Sequence, residues 1–218
     1  MTAITHSQSV PIAGTEPSVA VRRRTIDTVL TASGAVFAVV LLAAGVLLTW
    51  GSNFSEDYVY DELSSQNVVF SPAEALEEEG RTDLVQYADA AVDTGPEAEA
   101  YASFIDGHLQ QVADGQTYAD LGAPERAANT AVEEAVTAGA PASEIEALQA
   151  DADEITGQRN TLFKGETLRG LLLSAFAWST VGRIAGIAGI VALVAGAVMV
   201  LLVVFGVRHH HKVVKADS

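Results

Sequence analysis

An apolar run from Gly182 to Val207 limits what this chain can fold into. The run has no ionisable residue after Arg183, and a helix of about 20 apolar residues is what crosses a bilayer core of roughly 30 Å. Within lipid, a segment of this kind satisfies its backbone hydrogen bonds only as a helix. We therefore predict that residues 184–207 form a transmembrane helix, the second of two.

Small residues share one face of this helix and one face of its predicted partner. At 100° per residue, the glycines of the second span lie within about 40° of a single line along the helix. Small residues let the backbones of two membrane helices approach closely. The predicted helix-packing interface comprises Gly34, Ala38 and Gly45 on the first span and Gly182, Gly186, Gly189 and Gly196 on the second.

The apolar stretch over residues 25–50 predicts the first transmembrane helix. Arg22, Arg23 and Arg24 precede it and mark its leading end as cytoplasmic, and Trp50 is expected at the outer interface. The exit of this stretch offers no small-x-small cleavage site, so we expect the helix to be retained. Residues 1–24 have no helical or alternating period and predict a disordered cytoplasmic tail that ends in the basic anchor.

The middle of the chain is strongly acidic. Residues 51–165 contain 24 acidic side chains against four basic ones, a balance of −20. That charge repels nucleic acid and anionic lipid headgroups, and the absence of cysteine excludes disulfides and thiolate chemistry. The predicted fold class is all-α, with two transmembrane helices flanking an acidic extracytoplasmic helical-bundle domain over residues 51–165.

Within this middle region, helix start and stop signals and the spacing of apolar residues predict four or five helices. Residues 53–70 show no sustained period and are expected to run extended. A short helix is predicted to start with Ser71 as its cap and to stop at Gly80. The clearest apolar stripe follows Pro96 and runs from Glu97 to about Ala113. Further helices are predicted over residues 83–92 and 125–138, and from residue 142 onward.

The approach to the second span, residues 166–183, is expected to be an interfacial or protruding stretch. An apolar helix over residues 171–207 would be about 55 Å long, nearly twice a bilayer core, so one part must stand outside the hydrocarbon. We expect Trp178 at headgroup level and Arg183 near the outer boundary. Gly182 would let the chain change direction there, and the sequence leaves open whether the helix bends or continues at this residue. Arg208 and Lys212 in the basic tail, residues 208–218, then place both termini in the cytoplasm.

Several charged groups are candidate sites. Lys164, Glu166 and Arg169 fit either a grip on an acidic headgroup or partner, or a solvated ring with Glu166 and Arg169 paired one turn apart. The sequence also offers two acidic groups and a terminal histidine run, and none has the spacing of an established metal motif. These groups are His108 with Asp106, Asp114 and Asp120; Asp151 with Asp153 and Glu154; and His209 to His211. We predict no catalytic, cofactor-binding or metal-binding residue.

Five stretches carry a resemblance to known sequences: residues 48–51, 98–102, 108–109, 115–119 and, most specifically, 161–173. They resemble a family of two-pass membrane proteins found in actinobacteria, some members of which carry the label aromatic ring-opening dioxygenase. It implies one acidic helical domain between two spans, and no established activity. An iron-dependent oxygenase needs clustered ligands, whereas His108 is the one histidine outside the tail and the terminal run.

The sequence therefore favours a non-enzymatic integral membrane protein that acts as an accessory or scaffold subunit of a cell-envelope complex. Its expected partners are the lipid bilayer and either another membrane protein or further copies of itself. The alternative is an extracytoplasmic cation-binding sensor that relays occupancy through the two spans. A membrane hydrolase or oxygenase is the third hypothesis.

Overall fold

The structure is a computed structural model that describes the backbone of residues 17–216 and the side chains of residues 25–208. The protein is all-helical, with 84% of the described residues in helices and no strand among them. The elements are α1 Pro17–Ser64, α2 Ala73–Glu78, a 3₁₀ helix Thr82–Tyr87, α3 Gly95–Val112, α4 Gly122–Ala138 and α5 Ala142–Ala216. Predicted features of residues 1–16 lie outside the described residues.

Two of these helices are far longer than the rest and carry the apolar runs. Residues 25–64 of α1 and residues 142–208 of α5 each contain an 18-residue window that is apolar enough to cross a membrane, with mean hydropathy 2.3 and 3.0. The chain separates into two compact units. We call residues 1–47 with 188–218 the helix-pair unit, and residues 48–187 the bundle unit.

In the helix-pair unit, segments of α1 and α5 pack side by side. Ala38 of α1 is buried, and glycines on both segments face side chains of the other. Leu42 packs over Gly196, while Leu193 packs over Gly45. As residue numbers rise along α1, the numbers of the α5 residues that they contact fall, so the two segments are antiparallel.

The bundle unit is built around two apolar clusters. The larger joins both long helices to the short elements, and the smaller joins α3 and α5 to the residues around Leu121. An isolated antiparallel bridge between Val69 and Ala91 fastens the two connections that flank α2 and the 3₁₀ helix. The larger cluster contains Val59, Leu63, Phe70, Leu76, Leu84, Val92, Ala98, Ala102 and Leu172; the smaller contains Leu109, Ala113, Leu121 and Leu162.

The first long helix corrects two predictions. It begins at Pro17, within the predicted disordered tail, and it continues to Ser64 where residues 53–70 were expected to run extended. The reason lies in its buried positions, since Ser52, Ser55, Val59 and Leu63 recur every three or four residues. Two of these four side chains are serines, and so the apolar pattern alone did not reveal the helix.

The last helix also differs from its predicted division. Residues 142–216 form one continuous helix, so the boundaries at residues 165 and 183 are not helix ends and the backbone continues through Gly182. The long helices contribute residues 48–64 and 142–187 to the bundle unit, and they do not simply flank a separate domain at residues 51–165. The glycines of α5 lower its intrinsic helix propensity by about 1 kcal/mol each, which is small beside the packing of so long a helix.

The shorter elements match the predictions to different degrees. The predicted helix from Glu97 is confirmed as α3, whose capping box joins Thr94 and Glu97. The predicted helix over residues 125–138 is confirmed as α4, which ends at Gly139 with a left-handed φ of 71°. The helix after Ser71 exists as α2, but no side chain caps it. The predicted helix over residues 83–92 is wrong beyond a single 3₁₀ segment, because Asp89 adopts a φ of 58°.

Candidate helix-packing and membrane-interface site

Two serines of α1 contact two glycines of α5 in the bundle unit. Both serines are buried, Ser52 at 6% exposure and Ser55 at 8%. A methyl group on Gly186 would lie 2.6 Å from Ser52 Oγ, and one on Gly182 would lie 2.9 Å from Ser55 Cβ. The Ser55 hydroxyl donates to the carbonyl oxygen of Trp178 at 2.8 Å. Glycine at both positions is what allows the hydroxyl groups to reach the opposite backbone.

The remaining glycines of the predicted packing interface lie in the helix-pair unit. A methyl group on Gly45 would lie 2.9 Å from the backbone nitrogen of Leu193, and one on Gly34 would lie 3.2 Å from Val203 Cγ2. One on Gly196 would meet the backbone nitrogen of Leu42 at 3.2 Å. Gly189 is buried as well. Small residues thus face the opposite helix segment at each of these contacts.

The predicted interface anchors occupy different levels of the bundle unit. Trp50 and Trp178 are exposed, at 66% and 59%. Ser52 contacts Gly186 and Ser55 contacts Gly182, so Trp178 of α5 lies level with the part of α1 about nine residues after Trp50. At 1.5 Å per residue, this separation along α1 is roughly 13 Å. The two indoles are therefore more than two helical turns apart along α1.

The basic anchors are only partly described. Arg183 and Arg208 are exposed. The side chains of Arg22, Arg23, Arg24 and Lys212 lie outside the described residues, as do those of the terminal histidine run.

An aromatic ladder on α1 was missed by the sequence reasoning. Trp50, Phe54 and Tyr58 stack one turn apart, with ring centroids 5.8 Å and 6.3 Å from one another in sequence order. All three side chains are more than half exposed. Their spacing of four residues is the signal that could have identified the ladder, because it places them on one face once the helix is known to continue.

Two arginines fasten loops to helices in the bundle unit. Arg159 of α5 pairs with Glu125 of α4, and its guanidinium lies 4.1 Å from the centre of the Tyr118 ring. Arg81 pairs with Asp83 at 2.9 Å and donates to the carbonyl oxygen of Ser103 at 2.8 Å. Both arginines therefore act as structural clamps.

The charged groups considered as sites are partly engaged in such pairs. The predicted pairing of Glu166 with Arg169 is confirmed at 3.1 Å, and Arg169 also contacts Asp106 at 3.4 Å. Asp120 accepts from the backbone and hydroxyl of Thr117. Across the described residues, no group of three or more His, Cys, Asp or Glu side chains could hold a metal ion.

Acid–base behaviour in the bundle unit follows these contacts. Burial would raise the pKa of Glu97, but hydrogen bonds from the Thr94 side chain and from the amides of Asp93 and Thr94 outweigh it, so the net pKa is lowered. Burial and the Glu97 charge raise the pKa of neighbouring Asp93. A hydrogen bond from Arg81 lowers the pKa of Asp83. These shifts reflect capping and clamping contacts.

The fold and these contacts define an all-helical protein with two helices long and apolar enough to cross a membrane. Comparison with protein families, with curated proteins and with solved structures finds no match to this chain.

Proposed function

We propose that this chain is a non-enzymatic integral membrane protein that acts as an accessory or scaffold subunit of a cell-envelope complex. The observation that carries membrane insertion is the exposure of the apolar windows, of which 11% in α1 and 6% in α5 is buried. Helices that are apolar all round and unburied cannot be stable in water, whereas lipid accommodates them. Large side chains such as Phe37 and Ile190 are more than half exposed.

Charge supports an orientation with both termini in the cytoplasm. Basic residues precede the first apolar run, at residues 22–24, and follow the second apolar run, at residues 208–215. The residues between the runs are acidic, and basic segments are retained on the cytoplasmic side. The acidic bundle unit then lies outside the cytoplasm.

A scaffold role is supported by what the bundle unit offers to a partner. Its ionic contacts serve as clamps between its own elements, as at Arg159 and Arg169. The exposed aromatic ladder of Trp50, Phe54 and Tyr58 provides rigid apolar surface, and aromatic residues are enriched where proteins contact each other.

Topology can be tested directly because the chain contains no cysteine. Ala142 is exposed at the start of α5, so Ala142→Cys places a single thiol on the bundle unit. A membrane-impermeant maleimide added to intact cells is expected to label Ala142→Cys and to leave Ser218→Cys unlabelled until the membrane is opened. The reverse pattern would overturn the orientation.

The scaffold role needs a separate test. A photo-crosslinking amino acid at Phe54, which is 60% exposed, is expected to yield a discrete adduct with another envelope protein. The same amino acid at Thr130, an exposed position of α4, serves as the control. Adducts of equal yield at both positions, or none at Phe54, would contradict docking through the ladder.

A further inference from the structure

The aromatic ladder of α1 continues directly into three carboxylates. Asp57 lies three residues after Phe54, and Asp61 and Glu62 lie three and four residues after Tyr58. Side chains three or four residues apart are neighbours on a helix surface, so the rings and the carboxylates share one face. All three acidic residues are exposed. We call this face the aromatic–acidic stripe; it consists of Trp50, Phe54, Asp57, Tyr58, Asp61 and Glu62.

The bundle unit packs against a different side of α1. The buried residues of this part of the helix are Ser52, Ser55, Val59 and Leu63. At 100° per residue, the centre of that buried face lies about 145° from Phe54. The contacts of α5 with α1 are made at the buried face, through the two serines. The protein's own packing therefore leaves the aromatic–acidic stripe uncovered.

The carboxylates of the stripe have no cation of their own. Residues 25–64 of α1 contain no Lys, Arg or His. Within the described part of the chain, the salt bridges of Arg81, Arg159 and Arg169 are made with acids outside the stripe. Arg183 follows Gly182 on α5, which meets α1 at its buried face. The stripe thus presents three unneutralised negative charges beside exposed aromatic rings.

Lipid suits only the Trp50 end of this stripe. Trp50 is the kind of side chain that lies at a membrane interface. Exposed carboxylates are costly in hydrocarbon, so the end of the stripe that carries Asp57, Asp61 and Glu62 stands outside the bilayer core. The phosphates of anionic headgroups would also be repelled there.

Charge complementarity selects a basic occupant. A second copy of this chain would bring its own carboxylates against the stripe, because residues 51–165 carry a balance of −20. Lys and Arg side chains combine an apolar stem with a cationic head. The stems can pack along the rings while the heads reach the carboxylates, and aromatic rings themselves attract cations.

We propose that the aromatic–acidic stripe docks a basic amphipathic segment of a partner protein, in which Lys or Arg residues are interleaved with apolar ones. The stripe extends over 12 residues from Trp50 to Glu62, or roughly 18 Å, so a partner segment of about three helical turns covers it. The proposal rests on the scaffold role proposed above, and it specifies the chemistry of the partner that contacts the ladder.

A peptide-binding assay on the purified full-length protein in a non-ionic detergent tests the proposal. The probe is a fluorescent peptide of about 14 residues, in which Lys and Leu are placed at the spacing of an amphipathic helix. The variant Asp57→Asn/Asp61→Asn/Glu62→Gln is expected to bind this peptide roughly tenfold more weakly by fluorescence anisotropy, since three exposed ion pairs are lost. Phe54→Ala, at an exposed position, should weaken binding several-fold.

A matched control removes the same charge elsewhere. Glu133, Glu134 and Glu144 are exposed residues of α4 and α5, and their replacement by Gln is expected to change the affinity less than twofold. Circular dichroism checks that each variant keeps its helix content. Equal weakening by the two triple substitutions would overturn the proposal, because the peptide would then respond to overall charge alone. Unchanged binding with Phe54→Ala, or equal binding of a Glu-and-Leu peptide, would overturn it as well.

Crosslinking in cells separates this proposal from the scaffold role on which it rests. With a photo-crosslinking amino acid at Phe54, the attached partner peptide identified by mass spectrometry is expected to contain an excess of Lys and Arg. The triple substitution on the stripe should reduce that adduct several-fold. An adduct with another protein that persists at full yield would overturn the basic partner alone. An adduct with lipid only, with a second copy only, or none at all would overturn docking of another protein through the ladder, and the basic partner with it.

Discussion

The contact of Gly165 with Leu109 permits a quantitative test of the bundle unit. Leu109 of α3 is 6% exposed and packs against α5 where Gly165 leaves room. A methyl group on Gly165 would lie 2.8 Å from Leu109 Cδ1 and 3.0 Å from Leu109 Cγ, so the leucine or the helix must move. Overpacking of this kind costs about 1–3 kcal/mol.

Gly165→Ala also raises the intrinsic helix propensity of α5. Glycine-to-alanine substitutions at open positions of the same helix measure that contribution by itself. Replacing glycine by alanine within a helix stabilises it by about 1 kcal/mol. Gly157 and Gly170 have nothing within 4 Å of an added methyl group. We expect Gly157→Ala and Gly170→Ala to stabilise the protein and Gly165→Ala to be neutral or destabilising, with a separation of about 1–3 kcal/mol.

Thermal unfolding of the purified full-length protein, followed by circular dichroism in one detergent, measures this separation. For a unit of this size, 1 kcal/mol corresponds to roughly 3 °C in Tm, so the variants should differ by roughly 3–9 °C. Combining Gly165→Ala with Leu109→Ala removes the collision, and in that background the added methyl group should stabilise. If Gly165→Ala raised Tm as much as the controls do, the close packing of α3 on α5 would be refuted.

Three further predictions concern other contacts. Gly45→Ala forces a methyl group toward the backbone of Leu193 and should lower Tm in detergent by several degrees, whereas Gly51→Ala, with open space around it, should not. Arg159→Met leaves Glu125 without its partner and should destabilise the full-length protein by about 1–2 kcal/mol in chemical unfolding, a figure reduced for the partial exposure of the pair. The pKa of Glu97 is lowered in the fold, so its contribution to the free energy of unfolding is present above its ordinary pKa of 4.5 and is lost as pH falls through its folded value. Glu97→Gln should therefore be less stable than the parent at pH 7 and lose less stability on acidification below pH 4.5. The raised pKa of Asp93 contributes with the opposite sign.

The sequence predicts this structure best where local chemistry and apolar spacing agree. For α3, Pro96 in the first turn and an apolar stripe sufficed, and the structure adds the capping box of Thr94 with Glu97. For α1 beyond Trp50, the buried face is half serine and the aromatic residues point outward, so hydrophobic periodicity misleads. The course of the chain from Ala73 to Ala91 depends on a positive φ and on one distant bridge, and neither is encoded within a single helical period.

The glycines of the candidate packing face could be identified from the sequence because glycine spacing is a local property. The side chains that they contact could not be identified in this way. That Gly182 and Gly186 face serines, and that Ser55 bonds to the backbone of Trp178, depends on the register between two helices more than 100 residues apart in the chain.

The contacts between these serines and glycines also fix the register of α1 against α5. Gly182 and Gly186 are four residues apart, and Ser52 and Ser55 match them as a set of two. Sliding α5 by one turn, about 5.4 Å, in either direction would leave one serine opposite a bulkier side chain and would break the bond from Ser55. These contacts therefore oppose longitudinal sliding of the two helices past each other in the bundle unit.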